Sequence, residues 1–200
     1  IADNKSEAAE SASAMQKLVQ DKVVAVIAPI ASSSVIAGAQ INQDSKVLAI
    51  SPTASNPKVT VDEKGKVRPY LFRASFIDPF QGSVMAAFAT KSLKAKTAAI
   101  YIDNSSDYAK GLAKYFEEEF VKAGGQIVIK EAYLQKDTDF KATLTKIKAT
   151  NPEVIFVPGY YQEVGLIIKQ SRDLGMKMPV LCGDGWDSVQ LTNIAGAENL

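Results

Sequence analysis

The chain contains no histidine. That single absence removes Ser-His-Asp and Cys-His nucleophile systems, histidine general bases and HExxH metal sites together. Cysteine is nearly absent too: Cys182 stands alone, so no internal disulfide forms, and its VLCG setting reads as a small buried apolar residue rather than a reactive thiol. Neither sign of charge is in excess, with 23 Lys+Arg against 22 Asp+Glu and no like-charge block beyond the glutamates at 117–119. The basic footprint of a nucleic-acid binder is therefore missing. The longest apolar stretch, VVAVIAPIA at 23–31, is too short to span a bilayer and reads as a buried strand. No GxSxG, P-loop or GxGxxG motif occurs, which leaves an enzyme reading little to work with and implies neither cofactor nor metal. Ile1 opens the chain without a charged-then-apolar leader, so a signal peptide is expected to have been removed or to lie outside these residues.

What is present is an ordinary globular composition, 46% hydrophobic and 22% charged over 200 residues. Short β-rich runs (23–28, 47–50, 97–102, 126–133, 153–158 and 179–183) alternate with helical periods (6–20, 34–43, 79–93, 108–123, 139–149 and 162–174). A βαβα alternation predicts parallel sheets covered by helices. The segment 51–81 breaks the rhythm with four prolines, a charged turn at Asp62–Lys66 and a short extended YLFR run. A long irregular connector of this kind marks a crossover between domains, and the boundary is expected near 73–78, giving domains 1–74 and 75–200. The first part has too few strands and helices to cover both faces of a parallel sheet, so its missing strands are expected outside residues 1–200.

Ligands of open parallel sheets bind at the carboxyl ends of the strands, so the residues just past each apolar run are the candidates. Ser32-Ser33-Ser34 follows the first run and opens a helix, where hydroxyls and N–H groups suit either an anion or simple capping. Thr53 and Ser55 lie in a proline-stiffened turn after the second run. Tyr108 follows the third and Tyr160 the fifth, each offering a ring face with a hydrogen-bonding tip. Asp184 stands between two glycines after the last run, with Trp186, the one tryptophan, beside it for cation–π contact or packing. A hydroxyl and N–H cluster in one domain and an acid with aromatics in the other suit the two charges of an α-amino acid.

APIASSSV (28–35), ISPTASNPKVT (50–60), LFRASFIDPFQG (71–82), IDNSSDYAKGLA (102–113), KDTDFKATLTKIK (136–148) and GYYQEVGLIIKQSRDLG (159–175) resemble the leucine/isoleucine/valine-binding family of periplasmic substrate-binding proteins. The resemblance runs through all 200 residues in order. It implies the type I periplasmic binding fold, two Rossmann-like lobes with the first incomplete in this chain. By the same resemblance Ser32 and the backbone around Ser33 and Thr53 would hold a ligand carboxylate, Ser55 would bind both ends through hydroxyl and backbone, Asp184 would hold the ammonium, and Tyr108 and Tyr160 would close over the ligand. Trp186 would shape the pocket. Asp184 departs from the Glu that family members often carry, and Ala31 stands where some carry a disulfide cysteine. The implied function is the monomeric binding component of an ABC transporter, periplasmic or extracellular and in some forms lipid-anchored, delivering a branched-chain or other apolar amino acid to a membrane permease. A ligand-sensing domain of a receptor or regulator on the same fold is the alternative.

Overall fold

The computed structural model describes residues 1–200 and divides them into two compact units, Ile1–Asp78 and Pro79–Leu200. The division falls a few residues past the expected 74/75 boundary.

In the first unit, helices α1 (Ala8–Gln20) and α2 (Ser32–Ser45) cover three parallel strands, β1 (Ala25–Ile27), β2 (Leu48–Ser51) and β3 (Leu71–Arg73), which lie in that order. The YLFR run is thus the third strand, and the first strand is shorter than its apolar run. Side chains of a strand alternate between faces. Val26, Ala49 and Leu71 accordingly point inward and pack with Met15, Val35 and Ala39 of the helices. The intervening positions stay out: Ile27, Ile50 and Phe72, aligned by the register, are 76%, 40% and 51% exposed. One face of this sheet is therefore covered and the other carries an apolar row.

The second unit has β4 (Thr97–Asp103), β5 (Gln126–Tyr133), β6 (Val154–Phe156) and β7 (Val180–Leu181), all parallel, in the order β5-β4-β6-β7. Helices α3 (Asp78–Ala87), α4 (Asp107–Lys122), α5 (Lys141–Ala149), α6 (Tyr161–Asp173) and α7 (Val189–Ala195) complete it. Both faces of this sheet are buried, which explains why its central strands read as continuous apolar runs. Ala98, Ile100, Val154 and Phe156 face one layer with Leu112, Phe116 and Phe120 of α4. Ala99, Tyr101, Ile155 and Val157 face the other with Leu144, Ile147, Val164 and Ile167. The rings of Phe116 and Phe156 stack with centroids 4.0 Å apart across the first layer. Burying each such side chain contributes about 1.5–3 kcal/mol.

Two helices of this unit begin on serine caps. Ser106 caps α4 by accepting the Ala109 N–H at 3.2 Å, and Ser188 caps α7 by accepting that of Gln190. The expected run over 79–93 stays α-helical only to Ala87 and then widens into a π turn, Phe88–Ser92, where the Thr90 hydroxyl bonds back to the Ala86 carbonyl. Phe140 takes the N-cap of α5 without a side-chain cap, and the Asp139 carboxylate accepts the Lys141 N–H at 3.1 Å.

The order β5-β4-β6 reverses direction at β4, so a topological switch point lies between the carboxyl ends of β4 and β6. That is where the candidate residues of this unit gather. No helix is long and apolar enough to cross a membrane.

Candidate functional site

Asp184 lies in a 3-10 turn, Asp184–Trp186, just past β7, and is exposed. Two side chains fix it. The Gln81 amide donates from Nε2 to Asp184 Oδ1 at 2.9 Å and accepts the Asp184 N–H on Oε1, also at 2.9 Å. The Tyr108 hydroxyl donates to the same Oδ1 at 3.0 Å and accepts the Gly185 N–H at 3.1 Å. The acid loop is thus held through its backbone and through one carboxylate oxygen, while Oδ2 receives neither bond.

Packing explains how these groups arrive. Ser106 starts α4 so that Tyr108 falls in its first turn, where the ring is 3% exposed. Gly82 brings α3 against α4: a Cβ there would meet the Phe116 backbone nitrogen and the Tyr115 side chain, so only glycine permits the approach that carries Gln81 to the loop. The glycines around Asp184 have the same meaning. A Cβ on Gly183 would overlap Gln81 Oε1, and one on Gly185 would overlap the Gly159 carbonyl oxygen and the Tyr108 ring. Both are accounted for by the protein's own closely packed groups, a different reason from the open access to a cation that the sequence suggests.

Tyr160 sits at the N-terminus of α6 in extended backbone, half-buried, with its ring centroid 5.5 Å from that of Tyr108. Trp186 turns inward, packing against both hydrophobic layers and donating its indole N–H to the Val157 carbonyl at 3.3 Å. The structure therefore brings Tyr108, Tyr160, Asp184 and Trp186 together, adds Gln81, and gives the tryptophan a packing partner on either side of the sheet. Nothing local in the sequence marks Gln81, whose partner is 103 residues away.

Behind these groups lies a buried polar layer. Burial pushes the Tyr108 hydroxyl well above the usual tyrosine range, and Cys182 and Asp184 nearby add to the shift. Burial likewise raises Cys182 to about 12. Tyr133 is raised by burial and by the neighbouring carboxylate of Asp103. Its hydroxyl is buried without a hydrogen-bond partner, against Gly159, where a Cβ would overlap it. Asp103 accepts the Ser105 N–H at 2.9 Å, and Glu163 accepts that of Lys136 at 2.8 Å, so both buried acids have donors.

In the first unit, Ser32 opens α2 behind Ala31, which occupies the N-cap without a side-chain cap. Serines 32–34 are thus first-turn residues, and the capping alternative falls away for them. Ser32 is 1% exposed and its hydroxyl accepts the Asn56 N–H at 3.2 Å, while Thr53 donates to the Ile30 carbonyl at 3.0 Å. These bonds join the loops after β1 and β2. Ser55 is buried, with its carbonyl accepting the Asp78 N–H at 3.0 Å. Ser33, half-buried, lies between Ser32 and Ser34 in the same helical turn. Arg73 braces the second loop by donating to the Asn56 carbonyl at 2.8 Å and to Thr60 Oγ1 at 3.1 Å. No local pattern marks that arginine in the sequence, because its partners lie in the irregular connector.

No group of three or more His, Cys, Asp or Glu side chains is placed to hold a metal ion. In the second unit, an oriented carboxylate flanked by two tyrosines suits binding of a small polar molecule.

A family model described as periplasmic binding protein matches residues 1–200. The chain belongs to the periplasmic binding protein family. Proteins of this family are ligand-binding components without enzymatic activity, and they work in the periplasm or outside the cell. Among curated relatives, the chain is 32% identical over 196 residues to an amino acid binding protein of Pseudomonas aeruginosa, covering 98% of this chain and 51% of that protein. It is 31% identical to Leu/Ile/Val-binding protein homolog 3 of Brucella melitensis, covering 98% of this chain and 52% of the relative. Among solved structures, the branched-chain amino acid substrate-binding protein LivJ of Streptococcus pneumoniae, in complex with isoleucine, superposes with a TM-score of 0.88 at 42% identity, covering 98% of this chain and 55% of that one. A leucine-binding protein LivK of Thermotoga maritima gives 0.92 at 38% identity, covering 97% and 54%. The chain thus spans about half the length of the curated relatives it matches.

Proposed function

We propose that this protein is the substrate-binding component of an ABC transporter, capturing a branched-chain or other apolar amino acid and handing it to a membrane permease. The observation that carries the reading is the carboxylate of Asp184, oriented through Oδ1 at the strand ends with Oδ2 left to a cation. The relatives named for leucine, isoleucine and valine support the choice of side chain. In this reading Asp184 takes the ammonium, and Ser32, Ser33, Thr53 and Ser55 take the carboxylate. Tyr108 acts through Asp184, Tyr160 offers its ring to the ligand, and Trp186 sets the loop from behind. The protein works as a monomer, free or lipid-anchored.

Calorimetry of the full-length protein with L-leucine, L-isoleucine and L-valine tests the reading. Asp184→Ala is expected to cost on the order of 2–5 kcal/mol of binding, since it removes the partner of a ligand ammonium that binding takes out of water. Unchanged affinity in that variant overturns the assignment.

A further inference from the structure

Gln81 stands outside the residues that the proposed function uses, yet it makes two hydrogen bonds to one residue of that site. Its amide donates to Asp184 Oδ1 and accepts the Asp184 N–H, each at 2.9 Å. Asparagine and glutamine are the neutral side chains that offer two N–H donors and a carbonyl acceptor together in one planar group. Gln81 can therefore close a ring on the backbone and the carboxylate of the same residue, which fixes the direction of that carboxylate as well as its place. A glutamate at 81 would set a like charge against Oδ1, and a lysine or arginine would neutralise the acid. Glutamine holds Asp184 and leaves its single negative charge intact.

Burial supports a fixed role. Gln81 is 8% exposed, and Gly82 next to it lets α3 approach α4 closely enough for the amide to reach the loop. With Tyr108 also donating to Oδ1, both side-chain bonds to the acid end on the same oxygen. The lone pairs of Oδ2 are the ones left to an incoming group.

We propose that Gln81 is a positioning residue that orients Asp184 so that Oδ2 meets a ligand ammonium, and that it thereby sets a preference for α-amino acids over carboxylates of the same carbon skeleton that lack the amine. This rests on the reading of Asp184 as the ammonium partner.

The experiment compares L-leucine with 4-methylpentanoate, its deaminated counterpart, on the full-length protein. Direct calorimetry serves the first ligand and displacement of leucine the second. Gln81→Met keeps the side chain's length without its hydrogen bonds, and Gln81→Leu serves where the first variant melts too low. The expected result is a loss of about tenfold in leucine affinity, as for removal of one hydrogen bond to a charged group, with 4-methylpentanoate affinity unchanged. Equal weakening of both ligands assigns Gln81 a structural role only and overturns the proposal, as does no change in either. Asp184→Ala separates the two levels. If it abolishes the preference for leucine while Gln81→Met keeps that preference, the Gln81 proposal alone fails. If it leaves leucine affinity unchanged, the reading of the acid fails and the positioning role with it.

Discussion

Gln81 and Asp184 are 103 residues apart in sequence and are joined by a reciprocal pair of hydrogen bonds, each 2.9 Å long. That pair makes the loop after β7 an ordered part of the second unit, and several measurable consequences follow from the way it is packed.

Gly185 leaves no room for a side chain. A Cβ there would overlap the Gly159 carbonyl oxygen, which is backbone and cannot swing aside. Gly185→Ala is expected to destabilise the protein by about 1–3 kcal/mol, as overpacking does, and to weaken amino-acid binding by displacing Asp184. Urea denaturation midpoints and calorimetry check both effects. An unchanged midpoint would show that the loop yields freely.

Tyr133 carries a buried hydroxyl without a partner, but its ring packs edge-on against Tyr101 and Phe140 with centroids 5.1 and 5.5 Å away. Tyr133→Phe keeps those ring contacts and removes the orphaned polar atom. Stability is expected to stay level or rise by up to about 1 kcal/mol, in contrast to the usual loss when a hydrogen-bonded buried hydroxyl is deleted. A drop of more than about 1 kcal/mol in the unfolding free energy would mean that the hydroxyl has a partner in solution.

Alkaline pH should weaken the fold through Cys182. Burial raises its thiol from 9.0 to about 12, so the folded chain keeps a proton that the unfolded chain releases. Fewer protons on the unfolded state mean that stability falls as pH rises, beginning near the unfolded value and continuing to about 12. Tyr101, raised by burial from 10.0 to about 12, adds to the same trend at higher pH. Cys182 alone should account for roughly 1 kcal/mol between pH 8 and pH 10. Urea midpoints at the two pH values, in wild type and in Cys182→Ala, measure it. An equal fall in both proteins would remove Cys182 as a cause.

The fold was legible in the sequence because its signals are local. The continuous apolar run of β4 and the four-residue spacing of Leu112, Phe116 and Phe120 each act within a few residues. Strand ends were less legible: β6 and β7 stop short of their apolar runs, because their ladders end while Val157 and Cys182 remain in the core. The candidate site divides the same way. Tyr108, Tyr160 and Asp184 could be found as polar residues at strand ends, whereas Gln81 and Arg73 act through partners far along the chain or in irregular loops. Trp186 shows the limit of composition. A lone tryptophan beside an acid suits either cation–π contact or packing, and its ring packs on both hydrophobic layers.

The tight glycines at 183 and 185 also bear on redesign. Any larger residue at either position strikes Gln81 or the Gly159 carbonyl, so the acid loop tolerates few edits and makes a poor handle for changing what the protein holds. Tyr160 is the better one. It is half-buried at the start of α6 beside the Tyr108 ring, and a library there would vary the surroundings of Tyr108 while leaving the carboxylate and its clamp in place.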